Sequence, residues 1–263
     1  MKKLLYLIPA ALMMFTSCDG FFKLDNMEGP NAQVTGKFID KTTNEVIPIE
    51  ATNSNGYLRV YQLEWDTEAA QTWYVKNNGT YTNNLVFDGK YRVDFSYLPV
   101  YPDAEEITLK KGANEINFTK TPFARVKNFT VKYENGIFVA NADVEPGDAA
   151  KTPKVSEVQF LVYTDKYVHS LDSRSKNYAG ATAKNVNPGH VTLTIDPSAN
   201  DGNLKEEFKY PTRVHFFRVT ARCDGNGVNT NGVRNVSKNV IKATPVLSGN
   251  TVTGYKFEEI TEF

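Results

Sequence analysis

Gly89-Lys90-Tyr91-Arg92-Val93-Asp94-Phe95-Ser96-Tyr97 alternates apolar and polar residues through nine positions. Side chains on an extended chain repeat every two residues, so this pattern predicts a half-buried strand with Tyr91, Val93, Phe95 and Tyr97 on one face. Asp88-Gly89 before it is a turn dipeptide of the kind that accepts positive φ. Upstream, Val34 and Phe38 alternate around Gly36, Tyr57 to Trp65 forms an aromatic-rich extended run, and Trp73 and Val75 precede the turn Asn77-Asn78-Gly79. Downstream, Ile107 with Leu109 and Ile116 with Phe118 flank Lys111-Gly112-Ala113. Roughly seven short strands with close turn signals predict an antiparallel sandwich over residues 31–122, ending at Thr121-Pro122.

A second strand set follows. Phe129, Val131 and Tyr133 alternate, Asn135-Gly136 turns the chain, and Phe138, Ala140, Ala142 and Val144 return. Val158-Phe160-Val162, Val191-Leu193-Ile195, Thr212 to Arg222 and Val233 to Ile241 complete another set of roughly seven, predicting a second sandwich over residues 123–263 with a C-terminal tail. No amphipathic helical segment of 12 or more residues is visible, and the one stretch with room for a short helix is Glu64 to Thr72. The expected fold is all-β: two tandem antiparallel β-sandwiches, the second immunoglobulin/fibronectin-III-like.

The first 18 residues carry an address. Lys2 and Lys3 precede an apolar run, Leu4 to Phe15, which is too short to span a bilayer and fits a secretory signal. Thr16-Ser17 directly before Cys18 resembles a bacterial lipobox, with Phe15 departing from its usual leucine pattern. Residues 1–17 are read as a lipoprotein signal peptide, Cys18 as the lipidated first mature residue, and 18–30 as a linker. Several acyl chains on one cysteine give firm anchoring. The expected location is the outer membrane, lipid-anchored at the cell surface, although the acidic residues after Cys18 are scattered and leave a periplasmic face open. Loss of Lys2 and Lys3 leaves 28 basic against 30 acidic residues. This balance gives no electrostatic case for nucleic acid, and the lipid is the expected membrane contact. With Cys18 lipidated, Cys223 has no disulfide partner; it shares a strand face with Phe217, Val219 and Ala221, which predicts a small buried side chain.

Gly36-Lys37-Phe38-Ile39-Asp40-Lys41-Thr42-Thr43-Asn44-Glu45-Val46-Ile47 resembles the opening of transthyretin-like, carboxypeptidase-regulatory-like sandwiches. Asn78-Gly79-Thr80-Tyr81 and Gly89-Lys90-Tyr91-Arg92-Val93 are similar to their later turn and closing strand. With the lipobox, Leu24-Asp25-Asn26, Glu28-Gly29-Pro30 and Phe216-Phe217-Arg218-Val219-Thr220-Ala221-Arg222, the chain resembles a Bacteroidetes family of two-domain lipoproteins. That family accompanies SusC/SusD-like pairs in polysaccharide-utilisation loci. The resemblance implies glycan capture beside a SusC/SusD-like complex and supplies no binding residues.

Chemistry is sparse. His169, His190 and His215 lack metal-ligand spacing, and no metal or cofactor is expected. Asp103, Glu105 and Glu106 form the densest acidic cluster, but a glycosidase needs two carboxylates across a cleft, which spacing does not establish. Ser170, Ser173 and Ser175 lack a nucleophile elbow. Asp224 to Gly232 has oxygen-rich side chains, but Val228 breaks the calcium-loop spacing and no glutamate closes it. No enzyme is expected. The remaining signal is aromatic: 14 Tyr, 16 Phe and 2 Trp. A sugar lays its apolar C–H face on a ring while polar side chains meet its hydroxyls. Aromatics beside predicted loops are Trp65, Trp73, Tyr74, Tyr97 and Tyr101, the candidate contacts for an oligosaccharide or polysaccharide. A structural fimbrial-type subunit built of two sandwiches is the alternative.

Overall fold

Alternation of apolar and polar side chains builds several strands of this protein, because one strand face is driven out of water and the other kept in it. The structure is a computed structural model and describes residues 29–52, 54–64, 69–224 and 232–261. Cys18 and Trp65, and nearly all of the oxygen-rich loop 224–232, lie outside the described residues.

In the first half, β1 (Ala32–Asp40) lies between β4 (Thr80–Val86) on one side and β7 (Gly112–Glu115) and β8 (Phe118–Lys120) on the other. A second sheet runs β3 (Ala70–Tyr74), β2 (Tyr57–Gln62), β5 (Gly89–Asp94), β6 (Glu105–Leu109). The facing sides enclose Val34, Phe38, Leu58, Val60, Trp73, Tyr81, Tyr91, Val93, Phe95 and Phe118 in one core. The sheets are mostly antiparallel, as expected, but β1 pairs in parallel with both β7 and β8. Parallel neighbours need a long crossover, and here residues 41–111 supply it.

In the second half, β9 (Ala124–Glu134), β10 (Ile137–Pro146) and β13 (Gly189–Ile195) form a three-stranded sheet. It faces a sheet ordered β12 (Thr182–Val186), β11 (Val155–Tyr163), β14 (His215–Arg222), β16 (Val240–Ser248), β17 (Thr251–Ile260), with the short β15 (Asn235–Val236) on β14. Phe129, Phe138, Phe160, Leu193, Phe217 and Val219 fill the core between them. Cys223 is buried in it beside Ala221, as its register predicts, and burial pushes its thiol pKa up to about 11. The short helix expected within Glu64 to Thr72 is corrected at its C-terminal end: Ala70, Gln71 and Thr72 belong to β3, and residues 65–68 lie outside the described residues. The α-helix found is α1 (Gly202–Glu207), begun by the Asp201 carboxylate, which accepts the Asn203 and Leu204 amides at 2.9 and 3.0 Å.

The two cores are joined by polar groups shielded from water. Arg125 Nε and Nη2 donate to the Asp40 carboxylate at 2.5 and 2.9 Å. The Glu50 amide donates to the Arg234 carbonyl, and the Glu50 carboxylate accepts both the amide and the hydroxyl of Ser170. Tyr101, from the loop after β5, inserts into the second core against Phe123, with its hydroxyl 3.1 Å from Thr152 Oγ1.

Candidate ring-bearing face

The outer side of sheet β3–β2–β5–β6 follows from strand parity. Leu58, Val60, Trp73, Tyr91 and Val93 point inward, so Tyr57, Arg59 and Tyr61 of β2, Thr72 and Tyr74 of β3, and Lys90, Arg92 and Asp94 of β5 point outward. Register brings them together: Tyr57 lies opposite Tyr74, Arg59 opposite Thr72 and Asp94, and Tyr61 opposite Arg92.

At one end of this face three tyrosines meet. Tyr57 and Tyr97 stack with centroids 4.6 Å apart and planes 19° apart, and Tyr74 meets Tyr57 edge-on at 6.1 Å. Arg59 lies over the Tyr97 ring at 5.2 Å, and Arg92 covers Tyr61 at 4.7 Å. Both are within the range of cation–π attraction. Tyr74 is 66% exposed, whereas Tyr57 and Tyr97 are half-buried by each other. Burial first, and then the neighbouring Tyr97, raises the Tyr57 phenol above its ordinary pKa, so it stays a neutral donor near pH 7.

Backbone geometry pins the tyrosines. After β5, Asp94 Oδ1 accepts the Ser96 amide and hydroxyl at 2.8 and 2.6 Å, making a tight turn. Gly56 then donates its amide to the Tyr97 carbonyl and accepts from the Val75 amide, tying that turn to the end of β3. Gly56 has φ +85°, and a Cβ there would stand 2.6 Å from Ala51 Cα, so this joint requires glycine.

The expected contacts divide accordingly. Tyr74 and Tyr97 lie on the outer face. Tyr97 does not share the inward face of Tyr91, Val93 and Phe95, because β5 ends at Asp94 and the turn carries Tyr97 outward. Trp73 is corrected from binding contact to core residue: it is 1% exposed, stacked on Tyr81 and tilted against Tyr91. Tyr101 is likewise a core residue, 6% exposed between the two halves, with no ring face left for a ligand. Tyr57, Arg59, Tyr61 and Arg92 were not singled out. Their signal was present, since Tyr57-Leu58-Arg59-Val60-Tyr61 alternates with the apolar residues at the inward positions.

Several other polar groups bond within the fold. His215 is buried, and its Nε2 lies 3.2 Å from the Glu207 carbonyl. Ser173 and Ser175 hydroxyls bond the backbone of β11, and Glu105 pairs with the buried Lys120 at 2.5 Å. Among the described residues no group of three or more His, Cys, Asp or Glu side chains could hold a metal ion, and no helix is long and apolar enough to cross a membrane. A cleft of about 650 Å³ beside the junction of the two halves is lined by Glu45, Lys127, Asn128, Thr130, Asn239 and Glu259, and its one aromatic side chain, Phe129, is buried.

An all-β protein with a surface of tyrosines and arginines is what fold and site define. Residues 32–121 match the family model described as "Protein of unknown function (DUF3823) N-terminal domain". A crystal structure from Bacteroides uniformis ATCC 8492, described as that of a proposed carbohydrate binding protein, is 25% identical; it covers 82% of this chain and 100% of its own, with a TM-score of 0.69. A DUF3823 family protein from Parabacteroides merdae ATCC 43184 is 21% identical over 82% of this chain and 99% of its own, with a TM-score of 0.64. A second Bacteroides uniformis protein of that family is 17% identical over 81% of this chain and 98% of its own, with a TM-score of 0.62. The comparison with curated proteins found no match.

Proposed function

We propose that this protein is a non-catalytic glycan-binding lipoprotein of the outer membrane, held by a lipid on Cys18, and that the outer face of sheet β3–β2–β5–β6 is its binding surface. The observation that carries this reading is the Tyr57–Tyr97–Tyr74 cluster beside Arg59, which offers ring surface and fixed polar donors at one place. A pyranose has the same two needs. The similarity to a proposed carbohydrate binding protein supports the same direction. The lipobox-like start supports a membrane tether, and the resemblance to lipoproteins of polysaccharide-utilisation loci supports work beside a SusC/SusD-like importer.

Glycan arrays followed by calorimetry test the reading. Each stacked ring contributes on the order of 1 kcal/mol, so Tyr74→Ala and Tyr57→Ala should each weaken binding about five- to tenfold with an unchanged melting temperature for the exposed Tyr74. Trp73→Ala is the contrasting variant: loss of a buried ring should cost about 3–5 kcal/mol of stability. Binding left intact in the Tyr57/Tyr74 double variant would place the sugar elsewhere.

A further inference from the structure

We propose that this face selects an acidic glycan, one whose residues carry uronate carboxylates, and that Arg59 is the residue that reads the charge; the proposal rests on the glycan-binding reading above. Arg59 is exposed, on the central strand β2, with its guanidinium 5.2 Å from the centre of the Tyr97 ring. Tyr97 is itself held by the stack with Tyr57 and by the hydrogen bond from Gly56. The guanidinium therefore rests on a fixed support and loses less freedom when it binds.

Among the described residues, no carboxylate forms an ion pair with Arg59. Asp94, opposite it in the register, engages Oδ1 with the amide and hydroxyl of Ser96. The wider face keeps the same sign. Its outward positions on β2, β5 and β6 carry Arg59, Lys90 and Arg92 against Asp94 and Glu106, an excess of one positive charge among the described residues. The whole chain is neutral, so this excess is a local property.

A guanidinium donates two parallel N–H bonds to a carboxylate, a fit that a single hydroxyl does not use in full. A uronate presents such a carboxylate on the rim of its pyranose, beside the C–H face that a tyrosine covers. Tyr57, Tyr74 and Tyr97 next to Arg59 therefore match both parts of one sugar residue.

The test uses oligogalacturonate and oligomannuronate, each compared by calorimetry with the same oligomer after its carboxyls are reduced to alcohols. The expected result is binding of at least one charged oligomer at least about tenfold tighter than its reduced form, with the difference shrinking as salt rises. Arg59→Gln should remove that preference, and Arg59→Lys, which keeps the charge but not the fork, should retain part of it. Thermal melting of both variants checks the fold. Equal or better binding of the reduced oligomers overturns the acidic assignment and leaves the glycan-binding reading standing. A protein that binds neither these oligomers nor any member of a neutral glycan panel overturns both.

Discussion

His215 shows how much one buried side chain adds to the behaviour of the molecule. It lies against the Phe208 ring at 4.5 Å, and its Nε2 lies 3.2 Å from the Glu207 carbonyl. Burial pulls its pKa from 6.5 to about 4, with the charge of Arg213 adding to the shift and the Glu207 carbonyl opposing it. The unfolded chain takes up a proton near pH 6.5 that the folded one refuses until about pH 4. Acidification through that window therefore favours unfolding, by up to about 3 kcal/mol from this residue. Glu207 acts in the other direction: its burial raises the carboxyl pKa against the pull of Arg213 and Arg174, so the folded state gains from its protonation. With His215→Gln, the drop in urea midpoint between pH 7 and pH 4.5 should be smaller than in the parent protein. An unchanged drop would show that His215 already carries a proton in the folded state at the lower pH.

Among the elements, β1 depends on one missing side chain. Gly36 lies opposite Tyr81 of β4, and a Cβ at Gly36 would stand 1.7 Å from the Ile116 carbonyl oxygen and 2.8 Å from the Tyr81 ring. Tyr81 uses that opening to donate its hydroxyl to the same carbonyl at 2.7 Å. Gly36→Ala should therefore destabilise the first sheet by about 1–3 kcal/mol, read as a lower denaturation midpoint; an unaltered midpoint would mean that the strands can part at no cost. Strands were legible because their cause is local: the period of two in Tyr91-Arg92-Val93 survives in the fold. Partner choice was not, since nothing within β1 shows that its parallel neighbours lie some 80 residues onward. The site was half legible for the same reason. Nearness to a loop picked out Tyr74 and Tyr97 but equally picked out Trp73, although Val75 at the same parity marks Trp73 as inward. α1 was overlooked because six residues hold less than two turns of periodicity, yet its Asp201 cap and the Leu204–Phe208 spacing were present in the sequence.

The whole molecule is held together by charge as well as by its two cores. Burial alone would raise the Asp40 carboxyl, but the Arg125 hydrogen bond, the Thr42 amide and the Arg125 charge outweigh it and leave its pKa below the ordinary carboxylate value. The ion pair thus contributes in full above about pH 4 and is lost as pH falls through the lowered pKa. Asp40→Ala leaves the Arg125 guanidinium largely buried with less compensation, at a cost of about 3–5 kcal/mol. Calorimetry should then show a lower transition, or two transitions where the parent has one; an unmoved single peak would mean that the junction adds nothing to stability. The pairing of β1 with β7 and β8 also has a consequence in time. The first strand of the fold waits for some of the last strands of its sandwich before its own sheet can close. Such a distant closure places the first sandwich among slow folders, in milliseconds to seconds. During synthesis, β1 stays a ribbon with one bare edge until residue 120 has emerged, and through that interval a chaperone or a neighbouring chain competes for that edge.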